Sequence, residues 1–455
     1  MREDGPVTWG RSRATHLGRQ DLARVESRGR STADPLLRTE RLVAAGLIAV
    51  VGAVAAAVSN GWFIDLRVYV LGAGHAFSSD LYDQKLDDAG LPFTYPPFAA
   101  MAMAPFGHLP FAFGAAFIAM LSFAALLLVT RRTLVRQPLP IAAHWFFVLA
   151  VLAIAFEPVW ATFSFGQVNL IVLALCLLDL TGRHRARGVM VGLAAGLKLT
   201  PLFFVAYLVF TRQFRAAATV CATFAATVAV GFLFNPHGAT VFWTDAVRDP
   251  SRVGSAFFAG NQALTGVLPR WAGEPLPHAV VLVAQALAGL AALVAAAYLH
   301  RRGRELESVI AASFGMLAMS PISWSHHWVW AWPAALVLVA ALVRQLRGAR
   351  GGNGEHVADD VDHGDARGIG AAERAPGWAV ATGALLMVWL FVFVSRSTWW
   401  PPHYEDAELS WSLVQKVLGN TYVVAGALWI AWALLDARAG RRGRNVASFA
   451  PRGGE

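Results

Sequence analysis

Apolar residues in this chain fall in long, nearly unbroken runs rather than in the stripes of a soluble fold. A helix that crosses a bilayer needs roughly 20 mostly apolar residues, because hydrocarbon offers no partner to a backbone N–H or C=O. Runs that meet this criterion lie near residues 42–60, 110–130, 140–156, 167–180, 216–234, 279–299, 306–321, 326–343, 378–394 and 421–436. The pattern predicts an all-α, polytopic helical membrane protein with ten spans, or up to twelve if two imperfect runs are counted.

The imperfect runs are informative. Residues 95–106 contain Pro96 and Pro97 and are only about half a bilayer long. Residues 188–211 are broken by Lys198 and Pro201. Proline lacks an N–H and clashes with the carbonyl four residues earlier, so both read as interrupted elements. Charge decides how they count. With the N-terminus inside and 188–211 as a pair of half-helices, Arg131, Arg132, Arg136, Arg183, Arg185, Arg187, Arg212, Arg215, Arg301, Arg302, Arg344 and Arg347 all fall on the cytoplasmic side. Counting 95–106 as a full crossing would put Arg131 and Arg132 outside, so it is read as re-entrant or interfacial.

The polar remainder completes the organisation. Residues 1–40 form an Arg-rich, disordered cytoplasmic tail without the apolar core and cleavage site of a signal peptide. A transmembrane core covers 41–345, a flexible cytoplasmic linker 346–377, further transmembrane segments 378–436, and a basic cytoplasmic tail 437–455. His356, Asp359, Asp360, Asp362 and His363 read as part of a solvated linker rather than as metal ligands.

Composition agrees: 56% hydrophobic and 15% charged residues is too apolar for a soluble fold of this size. The net charge of +9 sits mainly in tails and turns, with no basic and aromatic stripe, which argues against a nucleic-acid partner. Cys176 and Cys221 lie in apolar runs outside any CxxC spacing, so neither a disulfide framework nor a zinc site is supported.

The topology places the long loops, rich in acids, His, aromatics and amides, on the face opposite the short basic turns, where binding and chemistry are usually found. Asp65, in GWFIDLRVYV, follows the first span. A carboxylate there either pairs with Arg67, caps a helix, or is shielded and reactive. Tyr95 lies in FTYPPFAAMAMAPF, a wall that lipid can approach or an ordinary interfacial aromatic belt. Gln167 and Asn169, in EPVWATFSFGQVN, suit sugar hydroxyls but equally cap helices or bridge spans. Lys198, in GLAAGLKLTP, needs an anion such as a phosphate, or a path by which to snorkel. His326 and His327, in SPISWSHHWVW, point in different directions, which makes a poor metal site and a better phosphate or hydroxyl partner.

Six fragments in order, DLRVY at 65–69, LY at 81–82, FTYPPF at 93–98, GQVN at 166–169, GLKLTP at 196–201 and SWSHHW at 323–328, resemble glycosyltransferase family 87 of the GT-C superfamily. The resemblance covers roughly residues 42–436. It implies a GT-C-type fold and a mannosyltransferase of the plasma membrane, using a polyprenol-phosphate mannose donor on the extracytoplasmic face. The implied acceptor is a glycolipid, a phosphatidylinositol mannoside or lipomannan, often joined by α(1→2) linkage. The family's catalytic Asp maps onto Asp65 and its outer-face His onto His326 or His327; Arg67, Tyr95, Gln167, Asn169, Lys198 and His327 are then candidate substrate-binding residues. An inverting transfer needs one carboxylate base and positive or hydrogen-bonding groups at the departing phosphate. A monophosphate leaving group places little demand on a divalent cation, so no metal and no cofactor are expected. Another polyprenol-phosphate sugar as donor is an alternative, as is a lipid or solute transporter, which repeated halves would mark. A structural membrane partner without chemistry is a third.

Overall fold

The computed structural model describes residues 35–59, 63–87, 89–139, 141, 145–351, 374–404 and 406–447. The expected N-terminal tail as far as residue 34, the linker segment 352–373 with His356, Asp359, Asp360, Asp362 and His363, and the C-terminal end from residue 448 lie outside the described residues. Contacts divide the chain into a small unit, 1–47, and a large one, 48–455. In the small unit the described residues begin the helix Pro35–Ala57. All of the chemistry considered below belongs to the large unit.

Each apolar run becomes a helix. Seven helices among the described residues are long and apolar enough to cross a membrane: Thr39–Ala57, Phe111–Arg136, Phe214–Phe234, His278–Arg301, Ser325–Gly348, Gly377–Val394 and Thr421–Ala439. The other three expected spans are shorter or bent. Residues Trp145–Ala155 and Glu157–Phe165 form a pair bent by 79°, which counts as an eighth crossing if taken as one. Asn169–Thr181 and Glu305–Met319 are apolar helices of 13 and 15 residues. The chain is thus a multi-pass, all-α membrane protein.

Both interruptions fall where proline demands them. Pro97 opens the short helix Pro97–Met103, which passes directly into a 3-10 turn at Ala104–Gly107. The helix Val189–Leu197 stops four residues before Pro201, whose ring would meet the Leu197 carbonyl if the helix continued. Lys198 is therefore extended (φ −153°, ψ 126°), and a 3-10 turn at Thr200–Leu202 restarts the chain toward Phe203–Phe210.

The helix Asn169–Thr181 sets the scale of the bundle. At 1.5 Å per residue it is about 20 Å long. Its Thr181 end gathers arginines expected in the cytoplasm: Arg132 and Arg136 donate to the Thr181 carbonyl. Close by, Arg187 pairs with Glu305 at 2.9 Å. Its Asn169 end carries the polar residues of the other face, where Asn169 Nδ2 donates to the His326 carbonyl at 2.9 Å. The basic groups and the site candidates therefore occupy opposite ends of one helix.

Candidate active site

Asp65 stands on the first turn of the helix Ile64–Gly74. The turn before it is locked to a second element: Phe63 N–H donates to the Ser164 carbonyl at 2.9 Å, and Gly166 lies against Leu66. Gly166 has φ +68°, and a Cβ there would sit 2.7 Å from the Leu66 Cβ, so both the left-handed turn and the close approach require glycine. The consequence is local and chemical. Gln167, one residue on, is held beside the Asp65 helix.

A polar cluster builds on that contact. Tyr69, one helical turn after Asp65, donates from its hydroxyl to Gln167 Oε1 at 2.6 Å, and Gln167 Nε2 reaches the Tyr95 hydroxyl at 3.2 Å. The two tyrosine hydroxyls are 3.0 Å apart. Burial pushes the Asp65 carboxyl up to about 6, against the opposing pull of a hydrogen bond from Gln167 and the charge of Lys198. Burial, together with the Asp65 charge, pushes the Tyr95 phenol up to about 12, so it remains a protonated donor.

A cavity of about 390 Å³ opens onto these groups, lined among others by Asp65, Tyr69, Tyr95, Gln167, Arg252 and His326. His326 comes from the 3-10 turn Ser325–Trp330. Pro333, four residues beyond Val329, denies that carbonyl its α-helical partner and favours the tighter turn. The His326 backbone carbonyl is held by Asn169 and by the Thr162 hydroxyl at 3.2 Å. Its Nε2, in contrast, is buried without a hydrogen-bond partner among the described residues. A buried polar atom left unsatisfied at a cavity wall marks a position where a ligand atom would be stabilised.

Arrangement separates the predicted residues into two layers. Asp65, Tyr95, Gln167 and His326 line the cavity. Lys198, Asn169 and His327 form a connected layer outside that lining, with the Lys198 ammonium 2.8 Å from Asn169 Oδ1 and 2.9 Å from His327 Nε2. Lys198 also lies 5.7 Å from the centroid of the Tyr95 ring. Arg67 is outside the lining, and Lys198 is a cation that draws the Asp65 value down. No group of three or more His, Cys, Asp or Glu side chains able to hold a metal ion occurs among the described residues.

The family model of glycosyltransferase family 87 matches residues 93–323, half of the chain. Over 453 residues, 96% of both chains, the sequence is 32% identical to a polyprenol-phosphate-mannose-dependent alpha-(1-2)-phosphatidylinositol pentamannoside mannosyltransferase of Mycobacterium tuberculosis. The chain belongs to glycosyltransferase family 87. As a family 87 member it is a glycosyltransferase, and the transporter and structural alternatives fall away. A protein of the same description from Mycolicibacterium smegmatis is 32% identical over 82% of this chain and 86% of its own. A polyprenol-phosphate-mannose-dependent alpha-(1-2)-phosphatidylinositol mannoside mannosyltransferase of M. tuberculosis is 34% identical over 54% of this chain and 62% of its own. No solved structure matches.

Three features of this family 87 site were not among the expected site residues. Arg252 lines the cavity, anchored by a 2.7 Å hydrogen bond from Nη2 to the Tyr82 carbonyl. Glu157 is buried and accepts from Ser325 Oγ at 2.9 Å, Trp399 Nε1 at 3.0 Å and the Tyr422 hydroxyl at 2.7 Å. Phe258, Trp324, Trp399 and Tyr404 supply an aromatic wall. No residue pattern signals Arg252, since its anchor is a backbone carbonyl that any residue at position 82 would supply.

Proposed function

We propose that this family 87 enzyme transfers mannose from polyprenol-phosphate mannose to a hydroxyl of a phosphatidylinositol mannoside or lipomannan acceptor. The transfer inverts the anomeric carbon, forms an α(1→2) linkage and takes place on the extracytoplasmic face of the plasma membrane. The observation that carries the reading is a shielded carboxylate, Asp65, sharing a 390 Å³ cavity with His326 Nε2, which has no hydrogen-bond partner among the described residues. The relatives named above supply the donor and acceptor classes.

The chemistry follows from the groups in place. Asp65 takes the proton of the acceptor hydroxyl as its oxygen forms a bond to the anomeric carbon. The bond from that carbon to the phosphate oxygen breaks, and its electron pair leaves on the lipid phosphate. Negative charge grows on that phosphate, so groups already aimed at it lower the barrier most. His326 and Arg252 are the lining groups suited to it, with Lys198 and His327 adding support from the layer behind. Tyr69, Tyr95 and Gln167 hold the base and offer hydrogen bonds to sugar hydroxyls.

The side of the membrane is supported by the arginine cluster at the far end of the helix Asn169–Thr181, since basic residues favour the cytoplasm. The test is to incubate the purified protein in liposomes with radiolabelled polyprenol-phosphate mannose and a panel of phosphatidylinositol mannosides. Labelled glycolipid is expected. No transfer to any acceptor would overturn the reading, and β-linked product would overturn inversion.

A further inference from the structure

We propose that the aromatic wall of the cavity is the acceptor-glycan subsite, stacking pyranose rings of a mannosylated lipid beside Asp65. This rests on the transferase reading above. Phe258 stands at the centre of the wall, its ring centroid 6.1 Å from Trp324, 5.7 Å from Trp399 and 6.1 Å from Tyr404. All four rings line the cavity that contains Asp65 and His326.

Interfacial aromatics are common in membrane proteins, so the wall must be told apart from an ordinary belt. The chain contains its own comparison. Trp400 and Phe391 pack on each other at 5.8 Å and are largely exposed outside the lining, as belt residues are. The neighbouring Trp399 turns inward instead. Its indole N–H is fixed by Glu157, which also holds Ser325 next to His326. An aromatic ring held in place in the free protein loses little freedom when a ligand stacks on it.

The chemistry of the wall suits sugars. An aromatic face carries negative charge density, which attracts the polarised C–H face of a pyranose, while the Tyr404 hydroxyl can meet sugar hydroxyls. Size selects between the two substrates. Four rings, three of them clustered around Phe258, offer more stacking surface than the donor's single mannose requires and suit a glycan of several residues. Tyr404 is 71% exposed and marks the open end, where a glycan longer than the cavity would leave.

The experiment measures donor and acceptor KM separately for the full-length protein in liposomes, with wild type, Tyr404→Ala, Trp324→Phe and the belt control Trp400→Ala. Tyr404→Ala is expected to raise the acceptor KM about tenfold, the equivalent of one aromatic contact. Donor KM and kcat at saturating acceptor should stay within about twofold, Trp324→Phe should retain most acceptor affinity, and Trp400→Ala should match wild type. A second measurement needs no variant: a soluble α-mannose oligosaccharide should inhibit wild type competitively with the acceptor and not with the donor. Unchanged acceptor KM in Tyr404→Ala, or a rise confined to the donor, overturns the subsite and leaves the transferase reading standing. If wild type transfers no mannose, the underlying reading fails instead.

Discussion

The ammonium of Lys198 lies 2.9 Å from Nε2 of His327, so of the two adjacent histidines one is engaged behind the cavity wall and the other, His326, is left facing it. Against the expectation that adjacent side chains diverge, the two rings meet edge-on with centroids 4.8 Å apart, and they differ in their other partners: His327 meets Lys198, while His326 packs edge-on to Phe165 at 5.2 Å.

Different positions imply different kinetic signatures. His326→Ala should lower kcat by about 10²–10³-fold, the usual effect of losing one donor to developing charge. His327→Ala and Lys198→Met act through the same contact, so their combined effect should fall well short of the sum of the single effects. A double-mutant cycle on kcat/KM measures this. Additive losses would show that the 2.9 Å contact has no energetic meaning.

Asp65 gives a pH dependence with a defined sign. Burial raises its carboxyl from the ordinary 3.8 to about 6, so the base is protonated and inactive in acid, and kcat/KM should rise with pH through about 6 to a plateau. Lys198 pulls that value down, so Lys198→Met should move the acid limb to higher pH. Asp65→Asn should lose about 10²–10⁴-fold in kcat. Stability should move the other way. The folded state holds its proton more tightly than the unfolded chain, so this residue's contribution to stability falls as pH rises from about 4 through 6. Asp65→Asn should therefore melt later than wild type at pH 8, with the gain shrinking in acid. A variant melting earlier at pH 8 would contradict the burial argument.

The donor set bears on metals. No three acidic, His or Cys side chains converge among the described residues, and the groups facing the proposed phosphate are an imidazole and a guanidinium. A cationic residue can neutralise a monophosphate leaving group unaided. Transfer should be unchanged in excess EDTA, with addition of Mg²⁺ or Mn²⁺ producing no stimulation. A loss restored by one ion would show that a metal takes part.

What the sequence made legible was whatever depends on neighbours along the chain. Run length and hydropathy located the seven long helices, and Pro97 and Pro201 located two interruptions, because these effects act over one to four residues, while the 79° bend between Trp145–Ala155 and Glu157–Phe165 was not read. Asp65, Tyr95, Gln167 and His326 stood out as polar or aromatic residues beside apolar runs, but only the family resemblance singled them out as site residues; the structure puts all four on one cavity. Contacts made across distant loops were invisible. Phe258 meets Trp399 only through folding, and Arg252 is anchored 170 positions away at Tyr82. Lys198 shows a subtler limit. Its need for a partner was legible, but the partners in the fold are Asn169 and His327, so any effect on a phosphate is exerted from behind the wall.

Glu157 joins stability to this wall. Its buried carboxylate takes hydrogen bonds from the His-bearing turn, the outer loop and the last span, through Ser325, Trp399 and Tyr422. Replacing it with Leu strands three donors, each costing about 1–3 kcal/mol if left unsatisfied. That sum is comparable with the whole stability of many domains, so Glu157→Leu should fail to yield monodisperse protein. Glu157→Gln keeps the shape and one acceptor oxygen but turns an NH₂ group toward donors, so it should fold with a lower melting midpoint. Because Ser325 and Trp399 both line the cavity, the Gln variant should also show a raised acceptor KM, while the pH of the Asp65 limb stays where it is. A lowered midpoint with unchanged acceptor KM would separate the two roles and confine Glu157 to holding the fold.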